Sequence, residues 1–474
     1  MEDDHYSYSL CQQDSDLDLS FTSSTSIATT SARSSLARSS LCLSFNDSTR
    51  ISSVSVGNSS VEIPNLNLRP HRKGDANWSA IKAATNLSSD GALHLSHLKL
   101  IRHVGSGNLG RVFLCRLRDY DHANFALKVV DNNLLTSKKL AHVQTEARIL
   151  SSLDHPFLPT LYAHIEASHY TCFVIDYCPN GDLHSLLRKQ PNYRCPIDTV
   201  RFFAAEVLVA LEYLHSLGII YRDLKPENIL IREDGHIMLS DFDLCFNAEV
   251  IPTLVHTSVG TYNKKHIRKY INCFPKKRYF QKETTLTEFV AEPTTAFSKS
   301  CVGTHEYLAP ELVNGNGHGN GVDWWAFGVL IYELLHGMTP FRGGCKESTL
   351  RNITSAKEFM FEYNGDINGM VEAKDLITKL LVKDPRKRLG CAKGATDIKK
   401  HPFFNGIKWP LIRMYQPPEI RGLAVKKSSR VHVGAGWPLF NKKRRGLWKG
   451  LSCLLLKSKG AKCNLNYNRH FYRY

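Results

Sequence analysis

The stretch from Tyr221 to Asp243 reads YRDLKPENILIREDGHIMLSDFD, and four of its polar residues decide how the rest of the chain is read. Moving a phosphoryl group needs a carboxylate to take the proton of the attacking hydroxyl, a cation on the transferred phosphate, and groups that hold a divalent metal ion beside it. Asp223 fits the first task and Lys225, two residues on, the second; Asn228 and Asp241 supply metal-binding oxygens. The apolar run at 229–231 and the alternating run at 236–240 predict a short hairpin turned at Asp234-Gly235, which returns Asp241 to the side of Asn228. In isolation the triplet Arg222-Asp223-Leu224 reads as a charged surface loop; the full string does not.

Upstream, residues 98–104 alternate as a strand and run into Gly105, Ser106, Gly107, Asn108, Leu109, Gly110, Arg111 and Val112. The glycines let backbone N–H groups approach a phosphate with no Cβ between them, and Val112 opens the returning strand. Alone, that pattern serves equally for a dinucleotide site or a plain hairpin. The next strand, 123–130, carries Lys128 between apolar neighbours, so it reads as an inward charge in need of a partner. A polar helix predicted over 138–151 offers Glu146.

The order and spacing of these motifs resemble the protein kinase family. That resemblance implies an α+β, bilobal fold, with a small β-rich N-lobe over 98–175 and a larger helical C-lobe over 179–404. It implies ATP and Mg²⁺ as cofactors, residues 105–112 over the phosphates, and a Lys128–Glu146 ion pair that fixes the α- and β-phosphates. Asp176 and Cys178 then belong to the hinge beneath the adenine, with Ile175 at the back of the pocket. Asp182 and Glu227 lie near the substrate groove, where acidic groups of basophilic kinases receive Arg side chains; Asp182 equally reads as a helix N-cap. The helix predicted over 199–217 carries Phe202, Phe203, Val207, Ala210, Leu211 and Leu214 at core spacing.

After Asp241 the usual DFG becomes DFD, and a basic insertion over 247–297 separates it from SKSCVGTHEYLAPE at 298–311. The insertion holds eight Lys or Arg against four Glu, with Tyr262, Tyr270, Phe274, Tyr279 and Phe280 interleaved. This combination is similar to the plant AGC-type serine/threonine kinases of the PINOID/WAG-like group. The likeness implies Ser300 as activation-segment phosphosite, with Ser298 a second candidate and Arg222 the phosphate's partner. It further implies contact of Thr304 with Asp223, pairing of Glu311 with Arg388, and Asp323 capping the catalytic loop. PIN-type auxin-efflux carriers as substrates and an upstream phosphoinositide-dependent kinase follow from the same likeness.

Composition frames these motifs. The chain has 474 residues and a net charge of +17, and the residues after 420 hold fourteen Lys or Arg with no Asp or Glu. No apolar run is long enough to span a bilayer, and the thirteen cysteines contain no C-x-x-C pair, which fits reduced thiols. Residues 1–92, Ser/Thr-rich with ARSSL repeated at 32–36 and 37–41, are expected to be disordered. The extension at 405–474 ends HFYRY, where Phe471 and Tyr474 keep only the spacing of an aromatic docking motif. The basic aromatic insertion suits an anionic membrane surface, giving a peripheral plasma-membrane location on the cytoplasmic side, with cytoplasm and nucleus as other compartments. Two other function classes compete: a catalytically weak scaffold, against which Lys128, Asp223, Asn228 and Asp241 all stand, and a basic nucleic-acid binder, for which no specific nucleic-acid module accompanies the charge.

Overall fold

A computed structural model describes residues 71, 75–118, 120–259, 284–355, 359–361 and 369–425. Strands β1 (Leu98–Ser106), β2 (Arg111–Leu117), β3 (Tyr120–Asp131), β4 (Leu161–Ala167) and β5 (Tyr170–Asp176) form one antiparallel sheet in the order β1-β2-β3-β5-β4. The register sets Val112 opposite Lys128 and Lys128 opposite Phe173, so the lysine sits mid-sheet, flanked by apolar strands. Helix α2 (Ser137–Ser152) crosses this lobe, capped by Thr136, whose hydroxyl accepts from the Lys139 amide. It buries Val143, Glu146, Ile149 and Leu150 along one stripe.

A second helix reaches this lobe from ahead of the sheet. Helix α1 (Ala76–Asn86) is capped by Asp75 and buries Trp78, Ile81 and Thr85, which share one face at helical spacing. Trp78 packs on Tyr162 at 5.3 Å between rings, inside the cluster of Leu98, Cys115, Phe125 and Val174. The expectation of disorder through residue 92 is therefore corrected from Asp75 onward. One aromatic anchor in eleven residues stabilises a helix that composition averaged over 92 residues does not register, since truncating such a buried ring costs about 3–5 kcal/mol.

The C-lobe contains α3 (Leu183–Arg188), α4 (Ile197–Ser216), the strand pairs β6 (Ile219–Ile220) with β9 (Phe246–Asn247) and β7 (Ile229–Ile231) with β8 (Ile237–Leu239), then α5 (Pro310–Val313), α6 (Gly321–His336), α7 (Lys346–Thr354), α8 (Met370–Leu380) and α9 (Ala395–Lys399). Fourteen of the twenty residues of α4 and all of α6 but Glu333 are buried, which places both helices at the centre of the lobe. The six predicted core residues of α4 are all buried there. His401 is structural: its ring bonds Asp375 at 2.8 Å and accepts from the Phe403 amide.

Part of the insertion is regular. β10 (Thr253–Val259) and β11 (Thr284–Val290) pair antiparallel over seven residues, from Thr253 opposite Val290 to Val259 opposite Thr284. Beyond α9, residues 405–425 follow the C-lobe surface: Gln190 donates to the Arg421 carbonyl at 2.7 Å, Asn180 to that of Ala424 at 2.9 Å, and Arg413 pairs with Asp234. Residues 1–70, the basic aromatic run at 260–283, and residues 426–474 with Phe471 and Tyr474 lie outside the described residues.

Candidate active site

The β1–β2 turn is closed by the Gly107 amide donating to the Gly110 carbonyl at 2.9 Å. Ser106 and Asn108 are exposed, Leu109 is buried, and Lys139 of α2 donates to the Asn108 side chain at 3.2 Å. Arg111 is exposed, and Val112 is half-buried above Lys128. A Cβ placed on Gly105 or Gly107 would meet no protein atom within 4 Å, so open space lies where a phosphate would approach the backbone. Lys128 Nζ donates to both Glu146 oxygens at 2.6 and 2.7 Å and to Asp241 Oδ1 at 3.2 Å. Burial disfavours its charge, but Glu146, Asp241 and Asp243 outweigh burial and raise its pKa above the usual ammonium value.

The hairpin predicted within the opening string is present, and the Ser240 amide donates to the Asn228 carbonyl at 2.9 Å, which sets Asp241 beside Asn228. Asp223 is buried and surrounded by donors: Lys225 Nζ at 2.8 Å, Thr304 Oγ1 at 3.0 Å, and Asn228 Nδ2 at 2.9 Å to both its carboxylate and its carbonyl. Because the Asn228 amide nitrogen is engaged there, its carbonyl oxygen is the end turned away from Asp223. Asp323 of α6 accepts from the Tyr221 and Arg222 amides, both at 2.8 Å. It thereby holds Arg222 at φ 67°, a left-handed conformation that costs on the order of 1 kcal/mol or more and persists only when surrounded by such restraints.

The activation segment meets this loop through Arg222. Its Nη1 donates to Ser300 Oγ at 2.6 Å and lies 3.4 Å from Ser298 Oγ. Ser300 is exposed, whereas the Ser298 backbone is bound both ways to His318, at 2.9 and 2.8 Å. Glu311 and Arg388 form a fork of 2.6 and 2.9 Å, as expected.

Three placements differ from or add to the sequence reading. The Asp176 carboxylate does not face the nucleotide side: it accepts from the Thr160 amide at 2.8 Å, Tyr162 Oη at 3.1 Å and Arg232 at 3.3 Å, because a buried carboxylate requires donors. Any adenine contact by Asp176 is left to its main chain; Cys178 is buried against Met238 of β8, and burial pushes its thiol up to about 12. Asp182 caps α3, accepting from the Ser185 amide at 2.7 Å, as its plainer reading has it. Glu333, not singled out by motif, is brought into an acidic group with Glu227 and Glu306 around Tyr307, whose hydroxyl donates to it. Burial first, then those two carboxylates, push the Glu333 carboxyl up to about 7. Its interruption of the apolar run on α6 is the signal that could have found it.

Asp243 is likewise buried, and burial followed by the Asp241 charge pushes its carboxyl up to about 8. Among the described residues no three His, Cys, Asp or Glu side chains group as a metal cage. Mg²⁺ takes few protein ligands and completes its shell with phosphate oxygens, so Asn228 and Asp241, both oxygen donors, fit it. Bound there, it would draw charge from the transferring phosphoryl oxygens. The chain's own groups are placed for the rest: Lys128 would orient phosphates, Asp223 would take the hydroxyl proton, and Lys225, 2.8 Å from Asp223, would place positive charge beside it.

The sequence model of the protein kinase domain matches residues 98–263 and 286–404. Serine/threonine-protein kinase WAG1 of Arabidopsis thaliana is 61% identical over 483 residues, covering 100% of this chain and 99% of that protein. WAG2 of the same plant is 61% identical over 474 residues, covering 97% and 96%. Protein kinase PINOID of Oryza sativa subsp. japonica is 45% identical over 424 residues, covering 86% and 87%. With its cleft, catalytic loop and activation segment assembled as above, the chain belongs to the protein kinase family and is a serine/threonine kinase of the WAG/PINOID group.

Proposed function

We propose that this kinase transfers the ATP γ-phosphate, with Mg²⁺, to Ser or Thr lying downstream of Arg in the cytoplasmic parts of PIN-type auxin-efflux carriers, and so acts in auxin transport signalling. The acidic group of Glu227, Glu306 and Glu333 carries the basophilic part of this reading. An arriving guanidinium would lower the Glu333 pKa, so that its proton is released to water, and would gain charge-assisted hydrogen bonds to the carboxylate. The carrier identity rests on the likeness to the PINOID/WAG-like group. Peripheral attachment to the plasma membrane is supported by the eight cations of the insertion and the five aromatics interleaved with them, each cation near anionic lipid being worth about 1 kcal/mol. At the root of that insertion the cross-strand pair Leu254 and Phe289 exposes 62% and 63% of its surface. Ser300, exposed on Arg222, suits phosphorylation by an upstream phosphoinositide-dependent kinase.

An array of Ser and Thr peptides, including carrier loop sequences, tests the substrate class. Upstream Arg should raise kcat/KM, and Glu227→Gln with Glu333→Gln should remove at least about tenfold of that preference, the scale of a lost desolvated ion pair. Equal turnover of Arg-bearing and Arg-free peptides by the unaltered enzyme would refute the reading.

A further inference from the structure

Glu292 enters the sequence reading only as one of four acidic residues in the basic insertion. In the fold it is buried, and its Oε2 lies 2.8 Å from His215 Nδ1 and accepts from Asn320 Nδ2 at 2.9 Å. The other face of the same imidazole, Nε2, lies 2.8 Å from Asp323 Oδ2. That oxygen is the one receiving the Tyr221 amide, and its twin receives the Arg222 amide. We propose that Glu292 is a positioning residue for phosphoryl transfer, acting through His215 and Asp323 on the backbone that carries Asp223. The proposal rests on the phosphoryl-transfer reading of the cleft.

Three features separate this arrangement from incidental packing. Gly394 adopts φ +60°, and a Cβ there would lie 1.7 Å from Glu292 Oε1, so the chain leading into α9 is shaped around this carboxylate. The Ala395 amide turns toward the same oxygen at 3.4 Å. Both ring nitrogens of a fully buried histidine face carboxylate oxygens, and only an imidazolium can donate to both. Burial works against that charge, but Glu292 and Asp323 prevail and push His215 up to about 10. With Gln in place of Glu292, the ring loses the carboxylate that favours its second proton. Asp323 then faces a weaker donor while still holding Arg222 in its left-handed conformation. A shift of the loop moves Asp223 relative to the substrate hydroxyl, to which rate is steeply sensitive.

The test compares full-length wild type, Glu292→Gln, Glu292→Asp, His215→Asn and the Glu292→Gln/His215→Asn double variant. Each is assayed for kcat and KM on a Ser peptide with ATP and Mg²⁺, alongside thermal melting and ¹⁵N-histidine spectra at pH 8. Glu292→Gln is expected to lower kcat about tenfold with both KM values within about twofold. Glu292→Asp, which keeps the charge, should recover most of that rate, and adding His215→Asn to Glu292→Gln should cost little more. Wild-type His215 should show two protonated nitrogens. A folded Glu292→Gln enzyme with unchanged kcat, equal losses in the Gln and Asp variants, or full additivity with His215→Asn overturns the proposal. A singly protonated His215 in wild type does so even if the variants fail to fold. A wild type that transfers no phosphate would instead remove the reading of the cleft itself.

Discussion

In the cleft, Lys128 faces Glu146 and Asp241 with Asp243 close behind, so one ammonium stands among three carboxylates. Below the catalytic loop, Arg388 is forked by Glu311 alone, donates to the Gly321 and Val382 carbonyls at 2.8 and 2.9 Å, and stacks 5.1 Å over Trp325. His215 lies there too, between Glu292 and Asp323, whose oxygens also take backbone or amide donors. The lower groups are dry, with the Arg388 and His215 side chains 0% exposed, whereas a third of the Asp241 side chain is open to solvent. Buried charge that is paired and hydrogen-bonded holds a lobe together, while charge left in excess at an open edge awaits a cationic ligand. The upper cluster is thus placed for chemistry and the lower one for position.

The largest expected effects fall on the upper cluster. Lys128→Met removes the phosphate clamp and Asp223→Asn the proton acceptor, and each should cut the initial rate of peptide phosphorylation by at least about 10². Wild-type turnover by either variant would break the comparison on the side of chemistry.

The lower cluster is expressed in pH dependence. An imidazole raised from 6.5 to about 10 binds a proton in the fold that the unfolded chain lacks. Its stabilisation is complete below pH 6.5 and is lost as pH rises through about 10. Between those limits stability should fall by up to about 1.4 kcal/mol per pH unit from this group. Denaturant midpoints measured from pH 7 to 9 should therefore decline less steeply for His215→Asn than for wild type. Parallel declines would remove His215 from the lower cluster's account.

The same contrast explains what was legible in the chain. Asp223, Lys225, Asn228 and Asp241 lie close together in sequence around one hairpin, so their spacing alone carries the site; the Gly105–Val112 turn and Lys128 follow from local pattern in the same way. The lower cluster joins residues far apart, with Glu292 reaching His215 from 77 positions away and Asp323 from 108. Asp323, Glu311 and Arg388 were accessible through family resemblance, but Glu292 was visible only as a charge. Helix α1 was missed for a related reason: Trp78 needs Tyr162, 84 residues on, before its burial means anything. The partners of the Asp176 carboxylate, Thr160, Tyr162 and Arg232, lie 14 or more positions away, so the local sequence carries no sign of them.

The division between the clusters is tested most directly by measuring melting temperature and single-turnover phosphoryl transfer together for Asp241→Asn and Glu311→Gln. Asp241→Asn relieves like-charge crowding in the cleft, so its melting temperature should hold or rise while the rate drops by about 10² or more. Glu311→Gln leaves Arg388 buried without its carboxylate, at a cost of about 3–5 kcal/mol, and should melt roughly 5 °C lower or more while its folded fraction keeps its rate within about tenfold. The opposite pattern, an unstable but active Asp241→Asn beside a stable but inactive Glu311→Gln, would contradict the account.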